Sequence, residues 1–145
     1  MVRRPSERVQ ALAFVAVLIV AIAGLYASVQ RMQPASVPSA LVRDAALDVR
    51  GNGWSVAYRA FATVNNTVFG LLLEASAALR FSVQYQVYQL PQGVLVTAIN
   101  GTSNGEHGRF WQYWVNGQCG TVAADRQPIG SSDRVLWNFT VITCG

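Results

Sequence analysis

An α+β domain behind an apolar leader is the fold class this sequence predicts, and three observations predict it. Residues 68–79 repeat their apolar side chains with a helical period, several later stretches alternate with period two, and residues 11–27 (ALAFVAVLIVAIAGLYA) form an uncharged apolar run. One helix beside mostly antiparallel strands packs most simply in two layers, with the helix laid across one face of a mixed, mostly antiparallel sheet. The 145 residues, 52% hydrophobic and 12% charged, suffice for one packed domain; they exclude two large domains and a disordered chain.

The leader comes first. A run of roughly 17 residues is at the short end of what crosses a bilayer core as a helix, and no polar stripe interrupts it as one would in a soluble amphipathic helix. Arg3, Arg4 and Arg8 precede the run and only Arg31 follows soon after, so the positive-inside rule places residues 1–10 in the cytoplasm and everything beyond the 11–28 transmembrane segment outside. Ala21-Ile22-Ala23 also has the small-x-small form of a signal-peptidase site. Two readings stand: an uncleaved single-pass anchor in the cell membrane, or a cleaved signal that leaves a secreted protein. Both export the rest of the chain. Residues 29–42, which include QRMQPASVPS, carry proline and serine without periodicity and read as a linker. The exported domain is then 43–145.

Within it, residues 46–50 and 54–63 are apolar-rich and partly alternating, and Gly51-Asn52-Gly53 between them is a hairpin signal. Thr67 is placed to cap a helix over 68–79, on which Val68, Leu71, Leu72, Ala75 and Leu79 share a face. After Arg80, Phe81, Val83, Tyr85 and Val87 alternate with Ser82, Gln84, Gln86 and Tyr88, which predicts a strand with one wet face. Pro91-Gln92-Gly93 turns the chain into a strand over 94–99. A loop over 100–108 (NGTSNGEHG), a strand over 110–115, the turn signal Asn116-Gly117 and a last strand over 134–143 follow.

The formal net charge is +4, yet Arg43, Arg50, Arg59, Arg80, Arg109, Arg126 and Arg134 are scattered singly. A face that displaces counterions from phosphate needs a basic stripe, so nucleic acid is excluded as a partner. Catalysis finds equally little support. Gly101-Thr102-Ser103-Asn104-Gly105 has the G-x-S-x-G form of a nucleophile elbow, but that motif needs a strand-to-helix turn and no helix follows. His107 is the only histidine and stands far in sequence from both cysteines, so no metal spacing exists. Glu74, Asp125 and Asp133 form no evident acid-base pair. The expectation is a protein that is not an enzyme and carries no resident metal or cofactor. Cys119 and Cys144 are exported, where disulfides persist. They either bridge one chain, closing a loop worth about 3–4 kcal/mol in the loop-entropy treatment, or pair between chains or stay free. The intramolecular bond requires the tail to bend, because an antiparallel last strand carries Cys144 toward the start of the 110–115 strand while Cys119 lies beyond its end.

Three motifs carry a family resemblance. Trp111-Gln112-Tyr113-Trp114-Val115-Asn116-Gly117, Ser132-Asp133-Arg134-Val135-Leu136-Trp137, and Thr67-Val68-Phe69 with Leu72 together resemble the transcobalamin C-terminal-like domains, and Ile99-Asn100-Gly101 resembles that family's strand end. The resemblance spans roughly residues 45–143 and implies a β-grasp fold. It departs at Ser132, where the family usually has glycine. It also raises cobalamin as a ligand, although the small domain of cobalamin carriers works with a large helical domain for which this chain has no room. By the same resemblance Trp111, Tyr113, Val115, Gly117, Asp133 and Trp137 are the structural core motif, with Val135, Phe139 and Val141 also pointing inward. Phe110 and Trp114 then face outward.

The resulting functional expectation is a membrane-anchored, extracytoplasmic, non-catalytic binding module, using Phe110, Trp114, Asn100 and Asn116 and the 100–108 loop to hold a corrinoid, a glycan or a protein. The alternative is a structural cell-surface or envelope protein that self-associates or docks to a partner without a small ligand. A deep concavity near Trp114 favours the first; a flat apolar patch or an open sheet edge favours the second.

Overall fold

The structure, a computed structural model, describes residues 14–22 and 40–143. Contacts divide the chain into two compact units, Met1–Val37 and Pro38–Gly145. In the first, residues 14–22 are helical and expose Phe14, Val17, Ile19 and Val20. Among the described residues no helix is long and apolar enough to cross a membrane. The rest of the predicted 11–28 segment, and most of the predicted linker, lie outside the described residues.

The second unit is a mixed α+β domain made mostly of strands. Strands β1 (Val42–Arg50) and β2 (Ser55–Thr63) form the first hairpin, followed by helix α1 (Val68–Leu79) and a second hairpin of β3 (Val83–Gln89) and β4 (Gln92–Ile99). Then come β5 (Thr102–Ser103), a 3-10 turn (Glu106–Gly108), β6 (Phe110–Val115), β7 (Gln118–Cys119) and β8 (Arg134–Thr140). The strands make two sheets where the sequence predicted one. A five-stranded sheet runs β2-β1-β8-β6-β7, and a three-stranded sheet runs β3-β4-β5. Only β1 and β8 pair in parallel; every other pair is antiparallel.

The helix begins where predicted. Thr67 is extended, and its hydroxyl accepts from the Gly70 amide at 3.0 Å, satisfying one of the first-turn donors. The same contact accounts for a glycine inside a helix. A Cβ on Gly70 would meet Thr67 Oγ1 at 3.0 Å and Asn65 Cβ at 3.2 Å. Arg80 ends the helix in the left-handed region. Val68, Leu71, Leu72 and Ala75 are fully buried from the helix side, and Leu47, Val49, Val135, Trp137 and Phe139 from the large sheet.

Two further expectations need correction. The last strand ends at Thr140 and not at 143, because Thr140 pairs with Phe110, the first residue of β6, and among the described residues no partner strand continues beyond it. Val141, expected in the core, is therefore exposed. The β3 strand, expected to have one wet face, is exposed on both from Gln84 onward, since its hairpin projects past the core.

Candidate functional site

The site follows from two strand edges that face each other without pairing. β5 is bonded to β4 only at Ala98 and Ile99, and β7 to β6 only at Trp114 and Val115. Along 94–97 of β4 and 110–113 of β6 neither strand has a strand neighbour on that side, and a cleft of about 510 Å³ lies between them.

One side chain sets its width. Asn104 Nδ2 donates to the Val96 carbonyl at 2.8 Å, and Asn104 Oδ1 accepts from the Trp111 amide at 2.7 Å. In a sheet each peptide unit of a middle strand donates to one neighbour and accepts from the other, and neighbouring strands lie about 4.8 Å apart. The Asn104 carboxamide makes both bonds of such a unit, so it bridges the backbones of β4 and β6 where no strand lies between them. Segment 120–125 closes the far end. There the Gly120 amide donates to Tyr113 O at 2.9 Å, Tyr113 Oη donates to Val122 O at 2.6 Å, and Asp125 accepts from the Val94 amide at 2.8 Å. A Cβ on Gly120 would stand 2.0 Å from the Tyr113 ring, so only glycine lets the segment cross so near. Burial, with the Asp125 charge adding to it, pushes the Tyr113 phenol up, so it stays a neutral donor.

The aromatic side chains Trp111, Tyr113 and Trp137 on the cleft's lining are buried. Their rings pack tilted, Tyr113 against Trp137 at 5.4 Å and Trp111 against Phe139 at 5.3 Å between centroids. Trp111 Nε1 donates to Thr102 O at 2.9 Å. Trp137 Nε1 is buried and has no hydrogen-bond partner among the described residues, an arrangement native proteins carry only rarely. Leu95, Phe110 and Ile142 form an exposed apolar rim. Among the described residues no acidic or basic side chain lines the cleft. A second recess of about 620 Å³ adjoins it, sharing Val94, Leu95, Val122 and Ala123, and reaches out along the β3–β4 hairpin to Arg126.

The residues singled out from sequence separate. Phe110 lies on the cleft rim. Trp114, half-buried on the opposite face of β6, lines a different depression of about 340 Å³ with Asp48, Leu136 and Asn138. Asn116 holds a left-handed turn with Gly117. Its Nδ2 donates to Asp133 Oδ1 at 2.8 Å and its Oδ1 accepts from the Arg134 amide at 2.9 Å, so both ends of the carboxamide are engaged. Asp133 also accepts from the Gly130 amide, and Ser132 adopts φ 67°, keeping the backbone that a glycine would take. Asn100 is left-handed too, in the turn between β4 and β5, and its amide donates to Ser82 O. Neither asparagine lines the cleft. Trp111, Tyr113 and Trp137 are buried, and Val115 packs half-buried against the core. Asn104, Leu95 and Ile142 were not singled out. Asn104 sat inside a segment that reads as a plain polar loop, and only its tertiary contacts distinguish it.

The other chemistry stays dispersed. Ser103 lies on β5, its amide donates to Glu106 Oε1, and a 3-10 turn follows where an elbow needs a helix. Among the described residues no three or more of His, Cys, Asp and Glu gather as a metal site. Glu74 ties α1 to β2, accepting from Tyr58 Oη at 2.8 Å, Asn65 Nδ2 at 2.8 Å and the Thr63 hydroxyl. Cys119 stands opposite Trp114 with Sγ 3.8 Å from Tyr113 O, and Cys144 lies outside the described residues. The tail before it does bend. Gln112 donates to Val141 O at 2.9 Å and accepts from the Thr143 amide at 3.0 Å, which folds the chain back along β6.

Residues 65–141, more than half of the chain, match the model of a family described as "Domain of unknown function (DUF4430)". The match names this family and not the transcobalamin C-terminal-like domains. A solved crystal structure from Ruminococcus gnavus ATCC 29149, described as a "putative metal binding protein", is 17% identical, with a TM-score of 0.54 over 69% of this chain and 98% of that one. At that identity the likeness concerns the fold alone. No curated protein matches the chain.

Proposed function

We propose that this chain, which belongs to the DUF4430 family, is a non-catalytic binding module whose ligand is a small, uncharged molecule with an apolar or aromatic ring seated between β4 and β6. The observation that carries the reading is the cleft held open by Asn104. It is within the size range of ligand pockets, lined by buried aromatic side chains and rimmed by exposed apolar ones. Uncharged walls favour a neutral ligand, because a charged one would lose its hydration without gaining a partner. For the same reason the reading contains no metal. Cobalamin enters only through the transcobalamin C-terminal-like resemblance and is one member of the test set.

In this account the domain works outside the cell, tethered or released by its apolar leader, and Cys119 bonds to Cys144 within one chain. The bent tail supports that pairing, since it brings Thr143 to Gln112, two residues along β6 from Trp114, the partner of Cys119. The reading is tested by a thermal-shift and tryptophan-fluorescence screen of the full chain against neutral aromatic compounds, short glycans and cyanocobalamin. A stabilising ligand whose affinity falls at least about tenfold in Phe110→Ala, a loss of roughly 1.4 kcal/mol, supports it. Binding that ignores Phe110→Ala but is lost in Trp114→Ala overturns it in favour of the opposite face.

A further inference from the structure

Sheet edges are templates for further pairing, and proteins guard them with charge, proline or brevity. Three of the four sheet edges here are guarded. β5 and β7 are two residues long, and β2 carries Arg59, which pairs with Asp44 at 3.4 Å and lies over the Phe61 ring at 5.9 Å. The fourth, β3, is seven residues long, VQYQVYQ, with strand formers at alternate positions and no proline. The chain around it is equally bare. From Phe81 to Gly105 the sequence contains no acidic or basic residue, in a chain whose net charge is +4. The charge that reaches this hairpin from outside that stretch is on the β4 side, where Arg126 donates to Gln92 Oε1 at 2.8 Å. Tyr85, Val87, Tyr88 and Leu90 are all exposed, Leu90 at 94%.

We infer that the partner of this edge is β3 of a second copy, paired antiparallel about a two-fold axis at Gln86, so that the two three-stranded sheets become one six-stranded sheet. Three features select a second copy. The strand is self-complementary in that register: Tyr85 stands opposite Val87 twice on one face, Gln84 opposite Tyr88 twice on the other, and Gln86 opposite itself. Aromatic with β-branched residues is a favourable cross-strand pair. A neutral edge also lets two positively charged copies meet without bringing like charges together along the paired strands. Finally, an isologous two-fold contact closes after two chains, whereas a shifted register would leave unpaired backbone at each end. The pairing is independent of the β4–β6 cleft and would stand if no small ligand were found.

The test is cysteine cross-linking and sedimentation of the full chain in mild detergent. Gln86→Cys is expected to form a reducible covalent dimer under air oxidation, and Gln84→Cys, displaced from its own copy across the axis, is expected to form far less. Gln86→Pro is expected to abolish the non-covalent dimer seen by sedimentation while the melting transition persists. A wild-type chain that sediments as a monomer at every concentration reached overturns the inference. So does equal cross-linking at positions 84 and 86, or a Gln86→Pro chain that melts cooperatively and remains dimeric.

Discussion

The two sheets have different tasks, and their side chains show it. The five-stranded sheet buries nearly every alternate residue of β1 and β8; Leu47, Val49 and Val135 are at most 2% exposed. The three-stranded sheet commits one side of β4 to the core, through Val96 and Ile99, which the register shift opposite Gln84 and Tyr85 brings onto one face, and leaves most of β3 in water. One sheet gives stability, and the other gives an edge, a hairpin and one wall of a cleft. Local stability is distributed unevenly in this way wherever a protein keeps surface for recognition.

The difference is open to direct attack. Leu47→Ala removes a fully enclosed side chain from the large sheet and is expected to lower unfolding free energy by about 2–5 kcal/mol, measured by chemical denaturation. Leu90→Ala, at the tip of the β3–β4 hairpin and 94% exposed, is expected to change it by less than about 0.5 kcal/mol, as surface substitutions do. Equal losses would erase the distinction. A finer contrast concerns two buried indoles. Trp111→Phe deletes a buried hydrogen bond and leaves Thr102 O without that donor, whereas Trp137→Phe deletes a donor with no partner among the described residues. Trp111→Phe should therefore be the more costly of the two, by about 1–3 kcal/mol.

The smallest effect belongs to Glu74, which joins the helix to β2 in the stable half. Burial raises the pKa of its carboxyl, but the hydrogen bonds from Thr63, Asn65 and Tyr58 outweigh burial and hold it below its ordinary value. A carboxyl with a depressed folded pKa takes up its proton more readily when unfolded. Its contribution is complete above the pKa of an unfolded glutamate and is lost as pH falls through the folded value. Denaturation midpoints are expected to fall over that acid window in the wild type and to fall less in Glu74→Gln.

The family resemblance implied that Trp111, Tyr113 and Trp137 point inward, and periodicity in the sequence made the secondary structure legible: α1 with its Thr67 cap, the hairpins, and the shared face of Trp111 and Tyr113. These are local consequences of residues spaced by two or by three to four. It could not reveal the division into two sheets, because β8 enters between β1 and β6 and no local pattern specifies that order. The cleft was half legible. Phe110 was marked by its place in an aromatic strand, but Asn104 acts through bonds to Val96 and Trp111 that a loop sequence does not announce. Asn100 and Asn116, each followed by glycine, both take left-handed backbones in turns.

The cleft itself is tested most directly by the indole N–H resonances of a 15N-labelled chain, followed while a ligand found in the thermal-shift screen is added. Trp111 and Trp137 line the cleft and Trp114 looks away from it. Seating a ring between β4 and β6 is therefore expected to shift the Trp111 and Trp137 signals and leave Trp114 in place. A titration that moves Trp114 while Trp111 and Trp137 stand still would contradict the account.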